Sequence, residues 1–503
     1  MVNLWRKVGA LFTSATLWRV ILGHERSATM PFIPWLVPVC VIALVVLARF
    51  AWSWNFAYGG LQRLEWLTFD WRARHAAERI SGGYTNIGLV TITDESIEQM
   101  KKGVLGFKAG LYWPRHVYGR AVRELAAQGA SVIALDTIFT DRRPDHPPIE
   151  LPGGDEEVSD RFFGRQLRAA GNVILASADR TLPDVLFRTN AWAVGDVTVK
   201  RDADGVIRRC PVFEDYLIWH PLIREAAETM SFDLKRTLLE PERLVLCATD
   251  GRSLVVPLDD AGLFNLRSLS RQLRYTRVPW QGDPMANAFR TGRVWDLGLV
   301  AAAKVLRLDL EHPIIDSKNH RIILKGPGVE RIIPVDSENC FYIDWQMTTI
   351  DARIPAEPIE RVLLQDRARQ AGLGSKLVDK WRGKVVLIGS LTPQTDHRGW
   401  GATPLEGGTA VTGRFLNIMH SLLTGRFIHP LPFSSELALI AALSLSGLLL
   451  TVRLRFVAAG LGVVTLGASY LWLGDSLYCR YHFWLPEAAP LKEESSMEYS
   501  RRM

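Results

Sequence analysis

The chain has 503 residues, 48% of them hydrophobic and 22% charged, with a formal net charge of +7. This is a globular balance, too long for one ordinary domain, and it excludes a disordered or low-complexity protein. Its 60 Lys and Arg are scattered among 53 Asp and Glu with no basic stripe interleaved with aromatics, which argues against nucleic-acid binding.

Residues 1–30 hold Arg6, Lys7, Arg19 and Arg26 against one acid, Glu25. Pro31 to Ala48 carries no charge, and with its apolar flank to Trp54 it predicts a first transmembrane helix over 31–54. Trp52, Trp54 and Tyr58 sit where an interfacial aromatic belt belongs. A cleaved signal peptide is the rival reading. The region before the apolar run is too long for that, and no small-x-small site follows it.

Residues 60–430 form the soluble region. Ile87–Thr93, Ser131–Leu135, Asn172–Ser177 and Lys384–Ile388 are short continuous apolar runs, as in strands buried on both faces. Between the first two, Arg115–Gln128 places Val117, Ala121, Val122, Leu125 and Ala126 on one helical face. Strand, helix, strand in that order predicts parallel pairing. The polar residues at the carboxyl ends of these strands are Asp94, Glu95 and Ser96, then Asp136, then Gly389 and Ser390. Ligands of open α/β sheets bind at such ends, but the same aspartates serve equally to cap helices and hold loops. Pro114, between Trp113 and Arg115, presets the start of a helix, and Trp113, Arg115 and Asp136 are expected to be structural first. An internal repeat follows. Arg224–Met230 recurs as Val300–Leu306, Arg243–Leu246 as Arg321–Leu324, Val255–Asp259 as Ile332–Asp336, and Phe264 as Phe341, an offset of 77 residues (341 − 264) at the last pair. Each copy predicts a helix followed by a small β-meander.

Two further spans are predicted at 433–453 and 456–474, joined by Arg453-Leu454-Arg455 as a helical hairpin. Positive residues place both the first 30 residues and this hinge in the cytoplasm. The soluble region and the tail 475–503, with Glu487, Glu493, Glu494 and Glu498, then lie outside, although Arg480, Arg501 and Arg502 weigh the other way. Five cysteines, Cys40, Cys210, Cys247, Cys340 and Cys479, form no zinc-type spacing. Cys210, Cys247 and Cys340 would face an oxidising compartment, where one disulfide is permitted.

From Leu61 to Ile428 the chain resembles the CHASE2 family of extracellular bacterial sensor domains. Leu64-Glu-Trp-Leu-Thr-Phe-Asp70-Trp-Arg72 is similar to its first helix with Asp-x-Arg. Ile92–Ser96, Trp113-Pro114-Arg115 and Ala134–Phe139 resemble its first strand end, its Trp-Pro-x-Arg element (one residue shorter here) and its Asp-x-x-Phe strand end. Asp202-Ala-Asp204-Gly205-Val-Ile-Arg208-Arg209 looks like the turn D-x-D-G-x-x-R-R. Gly383–Ser390, Asp396, Thr403-Pro404 and Asn417 resemble the closing strand and the return to the membrane. Three features depart from the pattern. Phe415-Leu416 stands where relatives often show His-Ala, and one copy of the repeat resembles an insertion. Relatives usually add a third span and a cytoplasmic output domain, where this chain has Phe483–Pro490 and a polar tail.

The resemblance implies an α/β fold: a parallel-type sheet sensor domain with β-meander insertions, flanked by transmembrane helices. It also implies a multi-pass protein of the bacterial inner membrane with its main domain on the periplasmic side. No GxSxG, P-loop, HExxH or strand-to-helix GxGxxG is present. Asp141–His146 and Asp396-His397-Arg398 each offer one His, which argues for solvated loops over metal sites. No enzyme activity and no cofactor are expected. The expected partners are another membrane protein or a second copy, with an unknown small ligand at Asp94, Glu95, Ser96, Trp113, Arg115, Asp136, Gly389 and Ser390. An accessory subunit of a membrane complex and a cryptic periplasmic hydrolase using Asp94 and Asp136 are the competing readings.

Overall fold

In the computed structural model the described residues are 58–485, apart from 81, 104–107, 152–153, 241, 249, 275–281, 283, 375–376, 394–398 and 455. The predicted first span and most of the tail lie outside them.

Six strands form one sheet: β1 (Ile87–Ile92), β2 (Val132–Ile138), β3 (Val173–Ser177), β4 (Ala193–Asp196), β5 (Ala356–Pro358) and β6 (Val385–Ser390). Their order is β5-β1-β6-β2-β3-β4, and every neighbouring pair is parallel. The central strands are buried almost throughout, and their side chains alternate between two cores. Val90, Ile133, Leu135, Leu175 and Val386 pack under helices α2 (Asp94–Lys102), α3 (Arg115–Ala127), α4 (Ser159–Ala170) and α7 (Ile359–Gln370). Leu89, Val132, Ala134, Ile174 and Leu387 pack on the other face, against α1 (Tyr58–Glu78), α6 (Leu297–Leu306) and α8 (Gly413–Thr424). The predicted face of α3 is in place: Val117, Ala121, Val122 and Leu125 are fully buried.

The duplication extends further upstream than the sequence match. Copy 1 runs from strand Arg209–Pro211 through strand Phe213–Trp219 and helix α5 (Pro221–Met230) to a three-stranded antiparallel meander, ending in strand Leu263–Asn265. Copy 2 repeats this with Met285–Asn287, Phe289–Trp295, α6, a second meander and Cys340–Tyr342. The copies are interlocked. Phe213–Trp219 pairs antiparallel with Phe289–Trp295, Tyr216 opposite Gly292 at the centre. The first strand of each copy pairs with the last strand of the other: Arg209–Pro211 with Cys340–Tyr342, and Met285–Asn287 with Leu263–Asn265. Copy 2 is built into the main core through α6, whereas copy 1 encloses a smaller core of its own around Ile223, Leu244, Leu246 and Phe264.

Among the described residues the four cysteines, Cys210, Cys247, Cys340 and Cys479, are free, so the disulfide left open by the sequence is not formed. In the ladder Cys340 lies opposite Pro211 and Cys210 opposite Phe341, so the two thiols point to opposite faces of the ribbon. Cys210 instead donates to Asp296 at 3.3 Å, and Cys247 lies in another sheet.

After the domain come α9 (Phe433–Arg453) and α10 (Phe456–Tyr481), of 21 and 26 residues. Among the described residues one stretch, Val457–Tyr481, is long and apolar enough to cross a membrane, and the described apolar stretch of α9, Ala441–Thr451, is shorter than that. α10 continues past the predicted span end at 474. Strand His429–Pro430, just before α9, pairs in parallel with Phe483–Trp484, just after α10. Both helices therefore meet the domain at one end, and the Arg453–Phe456 hinge is the far end.

Candidate functional site: the carboxyl edge of the sheet and the helix junction

The carboxyl ends of β1, β6 and β2 are neighbours in the sheet. After β1 the chain leaves into α2 on one face, and after β6 it leaves towards α8 on the other. Such a divergence is where open α/β sheets place a ligand crevice. Asp94, Asp136, Gly389 and Ser390 are brought together there, joined by two threonines the sequence reading missed. Thr392 donates its hydroxyl to Asp94, and its N–H donates to Ser390 Oγ at 3.3 Å. Thr412 donates to Asp136 Oδ2 at 2.6 Å and lies 3.3 Å from the Ser390 carbonyl oxygen. Both threonines are buried. A Cβ at position 389 would lie 2.2 Å from Thr412 Cγ2, so glycine is what lets the start of α8 sit against β6.

The other predicted residues have separate places. Ser96 closes a capping box with Thr93 at the start of α2 and donates to Glu360 Oε2 at 2.6 Å, tying α2 to α7. Glu95 is exposed beside Asp94. Trp113 is buried against Tyr118. Arg115 lies 4.8 Å from the Phe139 ring centroid and reaches the Asp141 carbonyl at 3.4 Å, and its burial pulls its pKa down. Trp113 and Arg115 thus fix α3 on the end of β2 and do not share the crevice with the aspartates. Asp145, in the loop read as solvated, is exposed and bonded to Arg143, which lowers its pKa to about 2.

A second polar assembly joins the domain to its helices. Arg208 is buried and bonds Asp70 of α1 as well as Asp202 and Asp204. Burial works against its charge, but the bonds to Asp70 and Asp204 outweigh this and hold its pKa above the usual range. Arg209 continues the network to Asp202 and Asp336. On the same α1, Arg72 donates to the Leu485 carbonyl at 2.8 Å and to Glu65 at 3.3 Å, and Trp484 Nε1 donates to Glu65 at 2.7 Å. Phe69 packs against Trp484 and Tyr478. The helix that leads into the domain and the segment that follows α10 therefore share one polar and aromatic joint.

No curated protein and no solved structure gives a significant match. The sequence profile of the CHASE2 domain matches residues 40–449, beginning inside the first apolar run and ending within α9. That span takes in the sheet, both copies of the repeat, the crevice residues and the Asp70–Arg208 network, and the chain belongs to the CHASE2 family of extracellular sensor domains.

Proposed function

We propose that this protein is a non-catalytic, membrane-anchored sensor of the inner membrane that signals through a separate membrane partner or a second copy of itself. The observation that carries this reading is the shared joint of α1 and α10. A shift in the sensor domain that moves Arg72 or Trp484 displaces both the leading and the returning helix at once. Membrane anchoring is supported by the surface of α10: Leu461, Val464 and Trp472 are each at least 65% exposed along a helix that is apolar on every side. Such a surface is stable in lipid, not in water.

Lateral contact is the route for the message. A Cβ at Gly462 would meet Leu450 of α9, so that glycine serves packing inside the chain. Gly447, Gly460 and Gly467 have no described atom within 4 Å of such a Cβ and leave room for another helix. Purification of the full chain in mild detergent, with and without Gly467→Leu, tests the reading. The variant is expected to accumulate and stay folded while a copurifying membrane protein, or self-association, is lost. A variant that fails to accumulate, or a wild-type chain that purifies alone as a monomer, overturns it.

The accessory-subunit reading, in which the sensor fold serves as a docking platform without sensing, also expects a copurifying partner and is separated from the sensor reading by whether any small ligand shifts the unfolding midpoint. A hydrolase built on Asp94 and Asp136 is disfavoured by their engagement with Thr392 and Thr412. Among the described residues, no group of three or more potential metal ligands includes either aspartate.

A further inference from the structure

We infer that the joint between α1 and α10 is a binding site for a divalent transition metal of the Zn²⁺ class, held by His75, Asp475 and Cys479. The three ligand atoms lie within 4.8 Å of one another. They converge on a single carboxylate oxygen: Asp475 Oδ1 is 2.7 Å from His75 Nδ1 and 3.6 Å from Cys479 Sγ. Asp475 and Cys479 are four residues apart on α10 and so share a face, while His75 comes from α1. Imidazole, carboxylate and thiolate make a borderline-soft set that suits Zn²⁺ and is poor for Mg²⁺ or Ca²⁺.

The geometry needs little change. Tetrahedral bonds of about 2.0–2.3 Å place ligand atoms roughly 3.3–3.6 Å apart, so His75 draws back from Oδ1 and settles within reach of a sulfur that already lies no more than 4.8 Å away. The nearest cation, Arg79, lies 3.6 Å from Oδ2, the other oxygen, on a half-exposed side chain. Arg79 also bonds the Cys479 thiol, so an ion on Oδ1 and Sγ displaces this half-exposed cation from the sulfur and leaves it on Oδ2 as an outer support. His75 is about one-third exposed, which gives an ion a way in and leaves a fourth position for water. Binding replaces the thiol proton, released to solvent, and puts the imidazole proton on Nε2. The other such cluster among the described residues, Asp336, Glu338 and Cys340, is held by two cations more buried than Arg79: Lys200 bonds Glu338 and Cys340, and Arg209 bonds Asp336.

A metal here pins the returning helix to the leading helix, beside the contacts of Arg72 and Trp484. The inference does not depend on the sensing role. Its test uses the reduced full-length protein in detergent, titrated with Co²⁺. The wild type is expected to show an intense near-ultraviolet thiolate-to-cobalt band that Zn²⁺ abolishes. Cys479→Ser should lose the band, Cys247→Ser should keep it, and His75→Gln should weaken affinity at least tenfold. Zn²⁺ should raise the unfolding midpoint of the wild type but not of Cys479→Ser. Absence of the band in the wild type, its survival in Cys479→Ser, or unchanged affinity in His75→Gln would overturn the proposal.

Discussion

Asp70 and Arg208 meet side by side, Nε to Oδ1 and Nη2 to Oδ2, each at 2.8 Å, across 138 residues of sequence. Arg208 is 1% and Asp70 6% exposed, so the pair is shielded from solvent and salt. Arg208→Met leaves Asp70, Asp202 and Asp204 facing one another and is expected to cost about 3–5 kcal/mol. Asp70→Asn keeps two carboxylates on the guanidinium and should cost less. Thermal unfolding of the two variants gives the order, and the reverse order would show that the tie lies elsewhere.

Asp136 and Thr412 form a bond between β2 and the start of α8. Asp136→Ala and Thr412→Val should each lower stability by about 1 kcal/mol, and the double variant should cost no more than the larger single effect. A double-mutant cycle by denaturant unfolding measures this. Unchanged stability in Asp136→Ala, with loss of ligand or partner binding, would make the aspartate a functional group instead.

Asp344 gives a pH dependence. Burial pushes its pKa up to about 7, against the bond from Gln346 that favours the charge. The folded pKa lies above the unfolded value. The group's contribution is therefore fully present below about pH 4 and lost as pH rises towards 7, because the unfolded state ionises first. Asp344→Asn should flatten the fall in unfolding midpoint between pH 5 and pH 8 and be the more stable protein at pH 8. An identical slope in both proteins would show that Asp344 does not titrate in this window.

The proposed topology can be tested by labelling. With Arg6, Lys7, Arg19, Arg26, Arg453 and Arg455 on the cytoplasmic side, a cysteine placed at Ser495 should react with an impermeant reagent added from outside. One placed at Ser14 should not. Labelling of Ser495→Cys only after lysis would reverse the proposed placement of the tail.

The central strands β1, β2, β3 and β6 are legible in the sequence because burial on both faces leaves continuous apolar runs. Edge strands β4 and β5 are not. They have four and three residues, and Ala193–Asp196 and Ala356–Pro358 carry acids and a proline that read as loop. Asp94, Asp136, Gly389 and Ser390 could be found because strand ends are marked by the switch from apolar to polar. Thr392 and Thr412 could not, since their role comes from where the chain returns after β6, and no local pattern records that. The predicted third span ends at 474, one residue before the polar Asp475. The helix continues through that aspartate, which is met by His75 of α1 and by Arg79 in the turn just after α1.

The interlocking of the two copies bears on synthesis of the chain. Arg209–Pro211 cannot find its partner until Cys340–Tyr342 has been made, 129 residues later (340 − 211). The first copy thus emerges from the ribosome, or from a translocation channel, with its opening strand exposed and its meander ready. It must wait for the second. Loop-closure entropy over such a separation makes this pairing a late and slow event. A chain cut between the copies leaves two halves with unmatched edges that can pair with each other or with another molecule. In its pairing the duplication has the arrangement of a fused dimer, each half closing the open edge of the other.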